Sequence, residues 1–272
     1  MLTPRRLTPR LGAIGVAFLA SATFMLVHPS RADAQSISST NDWGEHEDYR
    51  STKRFALELR FAPYSPEVDA EFKNGRTPHK DYFGTDRRLM SQLEVDYQFF
   101  TNWGSAAVGF SLGYFRETAA AHLEPDASNG TAPKTSGDTT RLSLIPAAVM
   151  LVYRADQAWR LWHVPLVPYA KLGLNYTVWR VYDGNDEIAR GGKVGIDGHG
   201  RGGTRGWQGA IGLAFALDII DLASARELDS ETGVNHTYIF GELSKYSVSG
   251  LGQDNRLNVG DSTWTAGMMF EF

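Results

Sequence analysis

One pattern limits what this chain can fold into: apolar residues alternate with polar or small ones in eight segments, roughly 52–62, 89–99, 105–115, 139–154, 165–181, 204–217, 234–246 and 261–272. A period of two describes strands with unlike faces. Phe55, Leu57, Leu59 and Phe61 oppose Ala56, Glu58 and Arg60, and Leu93, Val95, Tyr97 and Phe99 oppose Glu94, Asp96 and Gln98. Val108, Phe110, Leu112 and Tyr114 oppose Gly109, Ser111 and Gly113. In the fifth segment Leu172, Leu174, Tyr176 and Val178 oppose Lys171, Gly173, Asn175 and Thr177, and in the sixth Trp207, Ile211, Leu213 and Phe215 oppose Gln208, Ala210 and Ala214. The fourth and seventh segments do not reveal which residues share a face. Pro146 weakens the fourth, because proline deletes a ladder hydrogen bond.

The two ends of the sequence give this all-β pattern a setting. Met1–Arg10 carries arginines and no acid, Leu11–Val27 has no charge, and Ala32-Asp33-Ala34 precedes Gln35. A basic head, an apolar middle and an A-x-A site are the parts of a cleaved secretory signal peptide. The expected organisation is a signal peptide at 1–34, an N-terminal periplasmic segment at 35–51 and a barrel at 52–272. The other end places Trp264, Ala266, Met268, Phe270 and Phe272 on one face. Thr265, Gly267, Phe270 and Phe272 match the way bacterial outer-membrane barrels finish, so these four form a candidate insertion signal for the barrel-insertion machinery, a transient partner.

Composition excludes several alternatives. There is no cysteine, so an exported chain would depend on its sheet rather than on disulfides. A net charge of -4 and the lack of a basic block beyond the head argue against nucleic acid. Mean hydropathy is -0.29 with no later long apolar run, which excludes a helical membrane protein but not a barrel, whose apolarity is hidden in alternation. The connections between the first and second, third and fourth, fifth and sixth, and seventh and eighth segments are long and polar, whereas the others are shorter. One of those others contains a short helical pattern at Leu217–Leu228. Long loops on one side and tight turns on the other fit a transmembrane antiparallel up-and-down β-barrel in a Gram-negative outer membrane, with eight strands, both termini on the periplasmic side and one short periplasmic helix. A ten-strand count, with Phe72–Tyr82 paired as strand, stays open.

Six of the seven tryptophans lie near strand ends: Trp103, Trp159 and Trp162 at periplasmic turns, and Trp179, Trp207 and Trp264 towards the outer loops. They are candidates for two interfacial girdles facing outer-membrane lipids. With the apolar sets turned to lipid, Glu58, Arg60, Glu94, Asp96, Arg141, Lys171 and Glu271 point inward. An eight-stranded interior is just wide enough for side chains, so these should pair into a polar packed lumen. A narrow conduit for small solutes is the alternative.

No constellation carries chemistry. The histidines beyond the signal segment, His46, His79, His122, His163, His199 and His236, lack metal-ligand spacing. Gly198–Gly203 matches GxGxxG formally, but a strand pattern follows it and a flexible outer loop is expected. Asp183–Glu187 lacks the twelve-residue calcium loop with its distal glutamate. A barrel hydrolase acting on lipids would need a hydroxyl nucleophile beside a histidine base, and no GxSxG or comparable signal is present. No cofactor, no metal and no catalysis are expected, and the partner of the outer loops is not identified.

Four stretches, Phe55–Tyr64, Pro165–Leu174, Gly233–Tyr238 and Val259–Trp264, resemble an uncharacterised outer-membrane β-barrel family of myxobacteria and related deltaproteobacteria. The resemblance covers nearly all of 35–272 and implies location and architecture, with no catalytic motif to carry over. Similarity to small eight-stranded outer-membrane barrels is in strand number and loop asymmetry. The two-domain, peptidoglycan-anchoring relatives carry a further periplasmic domain, so wall anchoring is not expected here.

Overall fold

The computed structural model describes residues 54–72, 75–122, 135–191, 198–220, 222–251 and 257–272. The expected signal peptide and all of the expected N-terminal segment lie outside these residues. The alternating segments become long strands: β1 (Phe55–Tyr64), β2 (Arg88–Phe100), β3 (Ser105–His122), β4 (Thr135–Arg154), β5 (Leu166–Tyr182), β8 (Arg201–Ala216), β9 (His236–Ser247) and β10 (Asp261–Glu271). A two-residue ribbon, β6 (Arg190–Gly191) with β7 (Gly198–His199), sits in the connection between β5 and β8. The eight long strands form one closed barrel in the order β1-β2-β3-β4-β5-β8-β9-β10, every neighbour antiparallel.

Closure depends on the chain end. Leu57 pairs with Phe270, and past the last rung the Phe272 carbonyl accepts the Arg54 N–H at 2.9 Å while the Phe272 N–H donates to Phe55 O at 2.8 Å. The even strand number puts the start of β1 and the end of β10 at one end of the barrel, called here the terminal end. The opposite, loop end carries the connections β1–β2, β3–β4, β5–β8 and β9–β10. The described part of Phe72–Tyr82 adds no strand: a 3-10 turn at Val68–Glu71 precedes it and the helix α1 (Pro78–Phe83) takes up its end. Asp69 caps α1 by accepting the His79 N–H at 2.7 Å and the Lys80 N–H at 3.1 Å, so proline at the first turn and an acid at its start set this helix. Beside it, burial pushes the Glu71 carboxyl above its usual range, against a backbone hydrogen bond from Asn258 that lowers it.

Helix at the terminal end is more extensive than the one element expected. Both α2 (Gln157–Trp162) and α3 (Leu222–Thr232) lie there, with a 3-10 turn at Leu217–Ile219 ahead of α3. The contrast in loop length narrows because β3 and β4 run on past the expected limits, and the 217–235 connection is itself long. The glycine run at 198–203, expected as a loop, joins the ribbon and the start of β8. Close backbone approach favours glycine there: a Cβ on Gly200 would lie 2.7 Å from Ala189 O.

Inside, apolar layers fill both ends. At the terminal end Trp159, Val167, Tyr169, Tyr238, Phe240 and Met269 pack together. At the loop end Tyr64, Met90, Phe115, Leu142, Leu144 and Tyr246 do so, with Phe83 of α1 laid against them. The fourth segment is ambiguous in sequence because both faces of β4 are apolar: Leu142, Leu144, Ala148, Met150 and Val152 point inward, and Val149, Leu151 and Tyr153 point outward. Pro146 is accommodated within the sheet. The β3–β4 register runs from Leu112↔Ala147 to Phe115↔Leu144 and skips its rung, where Gly113 leaves room for the ring.

A side chain at Gly267 would collide with the β1 backbone, since its Cβ would lie 2.0 Å from Leu59 O, whereas Gly241 has open space. Gly267→Val is therefore expected to lower the melting temperature of the closed form by ten degrees or more (order of magnitude ~10 °C), and Gly241→Val to leave it within about 2 °C, by differential scanning calorimetry in detergent.

Candidate functional site

Alternation on β1 and β2 turns four charged residues into the lumen at nearly one level. Glu58 and Glu94 are register partners, two carboxylates directly opposite each other, an arrangement that is unfavourable alone. Lys171 resolves it from β5, placing Nζ 2.5 Å from Glu58 Oε2 and 2.7 Å from Glu94 Oε1. Arg60 bonds Glu94 and Glu242 and lies 3.5 Å from Glu58 Oε2. Arg154 bonds Asp96 and donates to Glu58 Oε1 at 2.8 Å. One network thus ties β1, β2, β4, β5 and β9 across the barrel interior.

Neutral donors complete it. Tyr169 donates its hydroxyl to Glu242 at 3.0 Å, and Ser244 donates to the same carboxylate at 2.8 Å. Nearer the terminal end Gln98 and Tyr238 donate to Glu271 at 3.0 and 3.2 Å. All of these residues are buried. Glu58, Glu94 and Asp96 come close enough together to hold a metal ion. Their oxygens are taken by ammonium and guanidinium groups, except that Asp96 Oδ1 has no hydrogen-bond partner, as is also true of Arg60 Nε and Arg154 Nη1. Gly109, opposite Asp96 in register, makes that arrangement possible, because a Cβ there would lie 2.3 Å from Asp96 Oδ1.

Two smaller polar clusters fasten the terminal end. His236 Nδ1 is paired with Asp218, whose other oxygen accepts the Thr237 N–H at 3.2 Å, so the 217–235 connection is pinned onto β9. Ser105 donates to Asp156 at 2.5 Å beside α2. At the loop end His79 Nε2 lies 3.1 Å from Glu117 Oε2, holding α1 over the barrel mouth. Arg87 binds Asp261 through both terminal nitrogens, at 2.7 and 3.1 Å. In the acidic turn at 183–187, Asp183 Oδ1 accepts the N–H groups of Asn185 and Glu187.

Of the residues expected in the lumen, Glu58, Arg60, Glu94, Asp96, Lys171 and Glu271 are brought together, and Arg141 is not. It faces outward on β4, 4.4 Å over the Tyr182 ring and 2.9 Å from Asp186, because inward positions on β4 are the even-numbered ones. Two tryptophans also depart from the girdle expectation. Trp159 is only 7% exposed and belongs to the terminal-end core, since α2 folds under the barrel, while Trp179 shares the odd-numbered inward face of β5 and packs against the loop-end core. Trp103, Trp162, Trp207 and Trp264 are exposed. Within the expected insertion signal, Thr265 is buried on the inward face with Gly267, whereas Phe270 and Phe272 lie on the outward one. Sequence reasoning misses Arg154, Glu242, Glu117 and Asp218. Counting parity back from Lys171 through the β4–β5 pairing would turn Arg154 inward, but no sequence signal sets that pairing.

Outside the barrel the polarity is reversed. From Leu89 to Phe99 the exposed face of β2 is entirely apolar but for Ser91, and at about 3.4 Å per residue with a tilt near 40° this run rises about 26 Å. Leu59, Phe61, Phe110, Leu112, Leu174 and Ile211 continue the belt around the barrel.

No protein-family profile and no curated protein matches the chain. Among solved structures it is similar to Ail, the attachment invasion locus protein of Yersinia pestis, crystallised with the heparin analogue sucrose octasulfate (10% identity, 81% of this chain and 97% of that one, TM-score 0.36). It is also similar to the N-terminal β-barrel domain of Pseudomonas aeruginosa OprF (12% identity, 81% and 100%, TM-score 0.34) and to a major outer membrane protein from Thermus thermophilus (11% identity, 82% and 100%, TM-score 0.39). None of these likenesses transfers a role to this chain.

Removing Lys171 leaves Glu58 and Glu94 facing each other. Lys171→Met is expected to cost about 3–5 kcal/mol of stability in guanidinium unfolding, and clearly less when Glu94→Gln is already present. Gly109→Val should also destabilise, by displacing Asp96 from Arg154.

Proposed function

We propose that the protein is a non-enzymatic integral outer-membrane β-barrel, exported by a signal peptide at 1–34, that presents polar loops at the cell surface and has a lumen sealed by side chains. The observation that carries this reading is the sorting of charge. On the barrel strands, every acid whose side chain is described, Glu58, Glu94, Asp96, Glu117, Glu242, Asp261 and Glu271, is buried on the inward side, while the outward faces carry the apolar belt. A water-soluble barrel would have the opposite arrangement, because charged groups are costly in hydrocarbon and an apolar belt of this height is costly in water. Closure supports the same reading, since a sheet in lipid must satisfy its backbone hydrogen bonds within itself.

The packed interior favours a structural or adhesive surface role over conduction. The central ion pairs lie between aromatic layers at both ends, and this arrangement supports a sealed lumen. In planar bilayers the purified protein is expected to give no discrete conductance steps; reproducible steps would favour the conduit. In the membrane fraction the unboiled protein should migrate faster than the boiled one, and a periplasmic protein without that shift would overturn the barrel reading.

The outward Phe270 and Phe272 are the residues proposed to be read by the insertion machinery. Phe272→Asp is expected to lower the inserted fraction several-fold, measured as the heat-modifiable share of the total protein; unchanged insertion would sink this assignment.

A further inference from the structure

The outward faces of the strands are not symmetric between the two barrel ends. At the loop end a cation follows the last large apolar side chain on strand after strand: Arg116 is the next outward residue past Tyr114 on β3, Arg205 past Trp207 on β8, and Lys245 past Leu243 on β9. On β5, Arg180 follows Tyr176 with only Val178 between. At the terminal end the next outward positions beyond β2, β4, β5 and β8 are Thr101, Ala155, Val164 and Leu217, all uncharged, and Arg54 at the start of β1 is an exposed cation there.

The cations are also crowded. Arg180 and Arg201 are direct register partners across β5 and β8, and Arg116 and Arg180 both pair with Ser143 of β4. Three arginines therefore lie along one rung, Arg116–Ser143–Arg180–Arg201, all exposed on the outward face. Like charges directly opposite on a sheet are destabilising unless something of opposite sign lies between them. Among the described residues none of Arg116, Arg180, Arg201 and Arg205 is paired with a carboxylate, and Lys245 donates only to the Ser262 hydroxyl, at 2.8 Å. The remaining outward cation, Arg141, has Asp186.

Grooves run from these cations down the apolar belt. One, of about 820 Å³, passes over Gly209 between Trp207 and Trp264 and ends at Lys245. Another, of about 530 Å³, follows Val149, Leu174 and Tyr176 and ends at Arg205. An apolar channel capped by an unneutralised cation has the chemistry of an acyl chain below and an anionic headgroup above.

We propose that Arg116, Arg180, Arg201, Arg205 and Lys245 form a collar that binds the phosphate groups of anionic lipids in the leaflet at the loop end, with the lipid chains seated in the grooves beneath. This rests on the membrane reading above. A lipid is favoured over a soluble polyanion because the cations project sideways from the strand faces, level with the top of the belt, where headgroups lie. Guanidinium groups suit phosphate oxygens through paired N–H donors. The collar also orients the barrel: a phosphate-rich leaflet meets the loop end.

The test uses the full protein in octyl glucoside, an uncharged detergent, titrated with diphosphoryl lipid A or with phosphatidylcholine and followed by native mass spectrometry. Lipid A should bind at least about tenfold more tightly than phosphatidylcholine, the advantage shrinking as NaCl is raised. The combined variant Arg116→Gln, Arg180→Gln, Arg201→Gln, Arg205→Gln and Lys245→Gln should lose that preference while its unboiled band still migrates fast. Equal binding of both lipids by a wild-type protein that retains the mobility shift would overturn the collar and leave the barrel reading intact; loss of the shift in the wild type would overturn the barrel reading itself. Should the variant fail to close, the wild-type salt series decides, and a lipid A preference insensitive to NaCl counts against the collar. Competition by inorganic phosphate or heparin at concentrations equal to that of lipid A would assign the cations to a soluble anion and overturn the lipid proposal.

Discussion

A sheet whose outer face is apolar has nowhere to leave an unpaired edge, and this requirement organises the rest of the molecule. It is met where β1 meets β10, with Ala56 to Phe61 paired against Ala266 to Glu271 and the last carbonyl of the chain joined to Arg54 and Phe55. Closing eight strands fixes a narrow interior, and the narrow interior fixes what alternate residues on each strand must do. Gly267 belongs to this constraint, since the seam would not tolerate a side chain there.

Once the barrel is closed, charges on inward positions have no solvent and must find one another. Glu58 opposite Glu94 would oppose closure, but Lys171 and Arg60 reach them from other strands or positions, and the same contacts then hold distant parts of the barrel in register. The network costs desolvation and returns it through geometry, so its worth is specificity of register more than net stability. Aromatic layers lie above and below it.

The period of two makes the strands and their outward faces readable, because it reports which face a residue occupies wherever the faces differ in polarity. It fails where they do not. Both faces of β4 are apolar, so the pattern cannot assign Arg154 to the lumen and turns Arg141 the wrong way. On β9, Tyr238, Phe240 and Tyr246 point inward while Ile239 and Leu243 point outward, which conceals Glu242. Position alone assigns aromatics near strand ends to an interface, yet Trp159 and Trp179 pack into the core, because the choice depends on parity and on where α2 folds. Nor does alternation say who meets whom across a barrel: that Lys171 joins Glu58 is a consequence of strand order and tilt, absent from any local pattern.

The central claim is that the belt faces hydrocarbon and the interior is packed. The chain has no cysteine, so single cysteines can be introduced without background. Spin labels placed in turn at Val108, Phe110, Leu112, Tyr114 and Arg116 on β3, and at Ser111 on its inward face, would be read in phospholipid vesicles for collision with oxygen and with a water-soluble nickel complex. The account requires oxygen access highest near Phe110 and Leu112, nickel access appearing only at Arg116, and neither reagent reaching Ser111. Nickel access throughout 108–114 would contradict a lipid-facing belt, and nickel access at Ser111 would contradict a packed lumen.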